Sequence, residues 1–245
     1  MADEIFENPR LAFIYDPFDP DRSDLDAYES MVNEFGASSV LDIGCGTGTF
    51  ACGLAAKGIE VIGLEPAEAS LKVAKTKHWS EGVKWIHGNA HDLPPLKVDL
   101  VTMTANVAQV FLTDEEWKDT LQAIRGVLRP GGRLVFETRK PESQAWLEWN
   151  KENTYQRMDV PKCGIVEGWV DVIDVRDSLV SFRWTYVFEN DGAVITSDST
   201  LRFRSLEEIT KSLREVELSV EDVREAPDRQ GREYVFIARR PTNIY

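Results

Sequence analysis

Asp42-Ile-Gly-Cys-Gly-Thr-Gly48 sets glycines at 44, 46 and 48 directly behind the apolar pair Val40-Leu41. Such spacing suits a buried strand that turns sharply into a helix while a ligand approaches the backbone with no Cβ in its way. Asp42, Gly44, Cys45, Gly46 and Gly48 are therefore the first candidate site residues, and an adenosine-bearing ligand is the chemistry they fit. Glu65 follows one helix and one strand later. At a strand's carboxyl end its carboxylate would accept hydrogen bonds from both hydroxyls of an unphosphorylated ribose. A nicotinamide fingerprint reads GxGxxG, whereas here Thr49 stands three residues after Gly46, and the glycines follow GxGxG with an acid two residues ahead. The spacing disfavours an NAD(P)-dependent oxidoreductase, which stays as the alternative.

Short β-branched runs alternate with amphipathic stretches from residue 38 to 238, the pattern of parallel strands joined by crossover helices. Strands are expected at 39–44, 60–65, 83–87, 99–104 and 133–138, and helices at 49–57, 67–77 and 114–128. Thr113 and Glu116 form a capping-box pair at the start of the last of these helices, and Trp117, Leu121, Ile124 and Leu128 mark its apolar stripe. Pro130-Gly-Gly132 is expected to end it. After Pro141 the period changes to two: Val180, Phe182, Trp184, Tyr186 and Phe188 alternate with Ser181, Arg183 and Thr185. With 166–175 before and 194–203 after, this predicts a three-stranded antiparallel insertion serving as a lid. A helix at 206–216 and strands at 218–224 and 233–239 then form an antiparallel hairpin on the core. The fold class is α/β, a doubly wound, mostly parallel, Rossmann-like sheet. The chain is expected to form a single domain over 1–245. It divides into an N-terminal helical cover (1–36, with one helix near 24–35), a cofactor core (37–140), the insertion (141–204), and a C-terminal helix and hairpin (205–245).

Four ordered motifs, residues 40–48, Gly63-Leu-Glu65, Gly88-Asn-Ala90 and Leu128-Arg-Pro-Gly-Gly-Arg-Leu-Val135, together resemble class I S-adenosylmethionine-dependent methyltransferases. The resemblance implies that the three glycines pass close to the methionine and ribose parts of S-adenosylmethionine. It further implies that Asp42 supports the loop or binds the amino group, that Glu65 holds the ribose diol, and that Pro66 packs on adenine. Asn89 stands where the family commonly has aspartate for the exocyclic adenine amine. Its oxygen can still accept, without charge assistance, and the Ala90 N–H meets a ring nitrogen. Tyr15 is implied to face the methyl region and Thr104 to line donor and acceptor. The insertion resembles the antiparallel cover of amino-sugar N-methyltransferases, although an aromatic face at alternate positions is more often packing than a substrate cage.

Methyl transfer from a sulfonium is an in-line displacement that needs alignment and dryness rather than a nucleophilic side chain, and the product is S-adenosylhomocysteine. An amine or hydroxyl acceptor would use a base, and His91 and Glu137, both expected beyond strand carboxyl ends, are the candidates. A non-catalytic S-adenosylmethionine-binding protein is the other reading. Composition narrows the acceptor: 42 acidic against 28 basic residues give a formal net charge of −14. Such a charge repels phosphate backbones and anionic membranes, so a small molecule is expected and nucleic acid is not. With no signal-peptide pattern and no run near ~18 apolar residues, the expected location is cytoplasmic. Cys45, Cys52 and Cys163 form no metal-binding spacing, so no metal is expected, and the protein is expected to be a monomer or homodimer.

Overall fold

The computed structural model describes residues 2–242. Three helices open the chain: α1 (Glu4–Glu7), α2 (Pro9–Phe18) and α3 (Leu25–Glu34). Only α3 was expected. The start of α2 is set by Asn8, whose side chain accepts the Arg10 N–H at 3.0 Å with Pro9 in the first turn, a signal legible in the sequence.

The core then alternates strands and helices as expected: β1 (Ser39–Ile43), α4 (Thr49–Ala56), β2 (Glu60–Glu65), α5 (Glu68–Ala74), β3 (Val83–His87), β4 (Val98–Met103), α6 (Asp114–Val127) and β5 (Leu128–Arg139). Pro130-Gly-Gly132 does not separate α6 from the strand as expected. β5 already begins at Leu128, opposite Val98, and its register shifts before Leu100 meets Arg133. The Thr113–Glu116 capping box is present. Beyond the core come α7 (Lys151–Thr154), β6 (Gln156–Val160), β7 (Gly164–Arg176), β8 (Leu179–Phe188), β9 (Ala193–Arg202), α8 (Leu206–Glu215), β10 (Ser219–Glu225) and β11 (Glu233–Arg239).

Seven strands form one sheet in the order β10-β11-β5-β4-β1-β2-β3. β1 to β5 run parallel, and β11 is antiparallel to both β5 and β10. Strand order reverses at β1, with β2 on one side and β4 on the other, which opens a crevice beyond their carboxyl ends. Leu41, Val101, Leu121, Ile124 and Phe136 fill one face of this sheet, and Val40, Ala51, Leu54 and Val235 the other. Both faces are thus covered, as a parallel sheet requires.

The insertion has four strands, not three, in the order β6-β7-β8-β9. Its apolar face packs on the N-terminal helices: Ile5, Leu11 and Ile14 share a core with Val160, Val166, Tyr186 and Phe188, and the Phe18 ring meets Tyr186 edge-on at 5.3 Å. The aromatic face of β8 is therefore largely packing. No helix among the described residues is long and apolar enough to cross a membrane.

Candidate active site

At the end of β1 the chain turns back under β2: the Gly44 and Cys45 N–H groups donate to the Leu64 carbonyl at 2.8 and 3.1 Å. Gly44, Gly46 and Gly48 all take left-handed φ, but they serve different ends. A Cβ on Gly44 would lie 2.6 Å from the Val107 side chain, and one on Gly48 would lie 2.6 Å from Trp85 and 2.8 Å from Ala74. Only Gly46 faces open space, with nothing within 4 Å of the Cβ position. Of the three, Gly46 alone has an open Cβ side, and the other two make room for protein neighbours.

Glu65, the last residue of β2, is buried, and its two oxygens accept from the Gly46 and Ala67 N–H groups at 2.9 Å each. Burial raises its pKa, and these two bonds oppose the rise. A carboxylate has about four acceptor sites, so two directions remain for other donors. Asp42 lies within β1, and its partner is the Thr102 hydroxyl on β4, at 2.9 Å. It therefore ties two strands together and does not hydrogen-bond the glycine loop. Burial pushes its carboxyl up to about 7. Cys45 is buried beneath Gly63, and burial raises its thiol.

Pro66 is half-buried and its carbonyl contacts His87 Nε2 at 2.9 Å. After β3, Asn89 is exposed and Ala90 buried, and the turn is closed by the Asp92 carboxylate, which accepts the Asn89 N–H at 2.7 Å. His91, on the same turn, is exposed and has no hydrogen-bond partner among the described residues. Thr104 is buried after β4, followed by Ala105 and Asn106 at φ 54 and 62, a strained pair for non-glycine residues. Tyr15 is half-buried on α2, 5.7 Å from the Phe6 ring.

Glu137 sits in a cluster that the sequence did not reveal. Its oxygens accept from the Tyr28 hydroxyl of α3 and from the Asn106 N–H at 3.1 Å. Burial, with Glu233 next in effect, pushes it up to about 7. The Asn106 amide donates to Glu233 at 3.2 Å, and Arg229 donates to the same oxygen at 2.9 Å. The Asn106 Oδ1 has no partner among the described residues. Residues from 28 to 233 thus meet beyond β4 and β5. An open cavity of about 380 Å³ between the end of α2, α4 and the segment after α5 is lined by none of the candidate residues.

A seven-stranded sheet with one reversed strand, a glycine loop after β1 and an acid ending β2 define the class I S-adenosylmethionine-dependent methyltransferase architecture, as the sequence resemblance implied. Residues 40–132 match the methyltransferase domain family model. An uncharacterized methyltransferase of Oceanobacillus iheyensis is 34% identical over 107 residues, 44% of this chain and 49% of that protein. The first curated relatives are matched over only 23% to 49% of their own lengths. Among solved structures, an S-adenosylmethionine-dependent methyltransferase from Clostridium acetobutylicum superposes with a TM-score of 0.77 at 19% identity, over 95% of this chain and 98% of that one. A sugar N-methyltransferase from Streptoalloteichus gives 0.76 at 19% identity, over 93% and 92%. These likenesses extend the methyltransferase fold to the insertion and the terminal elements.

Proposed function

We propose that this chain transfers the methyl group of S-adenosylmethionine to a small molecule, releasing S-adenosylhomocysteine. The observation that carries this reading is Glu65. It is a buried carboxylate held by the N–H of Gly46, the one glycine of the 44–48 loop whose Cβ side is open, at the crevice where strand order reverses. In this reading Glu65 takes the ribose hydroxyls and the loop from Gly44 to Gly48 backs the ribose and methionine. Pro66, Asn89 and the Ala90 N–H surround adenine, with Tyr15 and Thr104 at the methyl end. Asp42 braces β1 against β4 beneath them. The acceptor's lone pair attacks the methyl carbon, the S–CH3 pair returns to sulfur, and the proton released by an amine or hydroxyl goes to Glu137. A base near 7 suits that task. His91, exposed and unsupported, is the second candidate, and a His91→Ala variant of unchanged rate eliminates it.

The reading takes the whole chain as one domain, with α1 to α3 and the four-stranded insertion as covers over the core. The net charge of −14 supports a small-molecule acceptor over nucleic acid, and a cytoplasmic location goes with it. Thermal shift with S-adenosylmethionine, S-adenosylhomocysteine, NAD and NADP tests the proposal. A ligand at ~100 times its Kd adds ~2.7 kcal/mol of stability, and the first two ligands are expected to give that shift. A response to NAD or NADP alone sinks the reading in favour of the oxidoreductase. Binding of S-adenosylmethionine with no turnover across a broad acceptor panel favours a non-catalytic binding protein.

A further inference from the structure

Arg139 ends β5, two residues beyond Glu137, and its side chain is 21% exposed. It sits where core and cover meet. Its Nη1 donates to the Gln109 Oε1 at 3.0 Å, and its guanidinium carbon lies 5.4 Å from the centre of the Trp149 ring. Trp149 packs on Phe182 of β8 at 4.9 Å, and its carbonyl takes the Val172 N–H of β7 at 3.1 Å. Gln109 is itself fully buried. The guanidinium is thus held in place from the core side with the cover against it.

A guanidinium carries five N–H donors. Among the described residues only one of Arg139's makes a side-chain hydrogen bond; the nearest carboxylate, Glu233, stands at 3.7 Å from Nε and is already bonded by Arg229 at 2.9 Å. Elsewhere in the molecule arginines grip carboxylates with two prongs: Arg183 holds Asp198, Arg224 holds Glu34 and Arg232 holds Glu148, all on exposed surface. Arg139 is less exposed than any of these three, yet lacks such a grip. Two guanidiniums share Glu233, and burial raises the Glu137 carboxyl toward its protonated form. A desolvated cation with unused donors and no carboxylate of its own is a site for an anion.

We propose that Arg139 anchors an anionic group of the methyl acceptor, a carboxylate or phosphate, gripped by its unused N–H edge beneath the cover. This rests on the methyltransferase reading above. Residues i and i+2 of a strand share a face and stand roughly 7 Å apart, so Arg139 and Glu137 lie on one face of β5. The acceptor is then compact, with its reacting N–H or O–H a few bonds from the anionic group.

The test uses the full chain loaded with S-adenosylhomocysteine. Matched small amines and alcohols bearing a carboxylate, a phosphate or a neutral hydroxymethyl group are titrated by ligand-observed NMR at millimolar concentration. The same compounds are then assayed for methyl transfer from S-adenosylmethionine. One anionic series is expected to bind and be methylated while its neutral partner is not, and the carboxylate and phosphate arms identify which. In R139Q the KM of the methylated compound is expected to rise roughly 30-fold or more with a smaller change in kcat, and R139K is expected to recover part of the loss. Affinity for S-adenosylhomocysteine and thermal stability serve as controls for folding. Equal binding of neutral and anionic partners, binding of neither, or an unchanged KM in R139Q overturns the proposal alone. Failure of S-adenosylhomocysteine to bind the wild-type chain overturns the methyltransferase reading and this proposal with it.

Discussion

Glu65 already accepts two backbone N–H bonds, so replacing it does two things at once: it removes the proposed ribose partner and it frees the glycine loop. Hydrogen bonds to a charged group contribute about 1.5–3 kcal/mol each. Glu65→Ala is therefore expected to weaken S-adenosylhomocysteine binding by roughly 100-fold, measured by calorimetry. Unchanged affinity would remove Glu65 from the site. In the proposed mechanism Glu137 serves the chemistry and not cofactor affinity. In the base role it must be ionised, so the rate rises as pH climbs through about 7. Glu137→Gln is expected to keep the Tyr28 and Asn106 contacts in shape, to lower kcat by roughly 10²–10⁴, and to abolish that limb of the pH profile. A variant that retains the limb points to another base. The motif residues were legible because they lie close together in sequence, but the surroundings of Glu137 were not. Glu233 reaches it because β11 runs antiparallel to β5 with Glu233 opposite Arg139, a register that no local spacing encodes.

At the level of elements, the N-terminal helix α2 is fastened to the glycine loop through one side chain. Asp16 accepts the Thr47 hydroxyl at 2.6 Å and pairs with Lys77 at 2.7 Å. All of these side chains but Thr47 are part-exposed, so the ion pair adds little to global stability, about 1 kcal/mol or less. Its expected effect is on exchange. Asp16→Ala should leave thermal stability nearly unchanged, speed release of S-adenosylhomocysteine in stopped-flow traces, and raise amide hydrogen exchange across Pro9–Phe18. A release rate equal to wild type would show that α2 does not gate the site. The same segment shows where sequence reading runs out. The strands β1 to β5 announce themselves as apolar runs, whereas α2 carries Pro17 inside it and exposes Phe13, so its pattern reads as a loose aromatic stretch. β6 escapes for the opposite reason. It is a short edge strand whose inward side chains are only Met158 and Val160, too few for an alternation to stand out.

Across the whole molecule, buried acids set how stability responds to pH. Asp42 and Glu137 are both pushed up to about 7 by burial. The folded state therefore holds protons that the unfolded chain has released, and stability falls as pH rises from ~4, the unfolded carboxylate range, to about 7. Asp99 acts in the other direction: bonds from Arg129, Ser38 and Ser39 hold its carboxyl well below the usual range. Its contribution is lost only as pH drops below ~4. Between these limits the raised acids dominate, reinforced by the self-repulsion of a chain with net charge −14. The melting temperature is expected to climb by several degrees from pH 8 to pH 5, and Asp42→Asn, which keeps an acceptor for Thr102, is expected to flatten the climb. A melting temperature that is level or rises with pH over this window refutes the assignment. In the proposed mechanism stability and activity then pull apart, because the proton that steadies Glu137 would disable it as a base. In the proposed complex the positive sulfonium of S-adenosylmethionine, placed near these carboxylates, would favour their ionised forms, whereas S-adenosylhomocysteine, whose thioether sulfur is uncharged, would do so less. Calorimetry in buffers of different ionisation enthalpy at neutral pH should therefore show more protons released on binding the donor than on binding the product. Equal release from both would mean that the sulfonium lies out of electrostatic reach of Glu137.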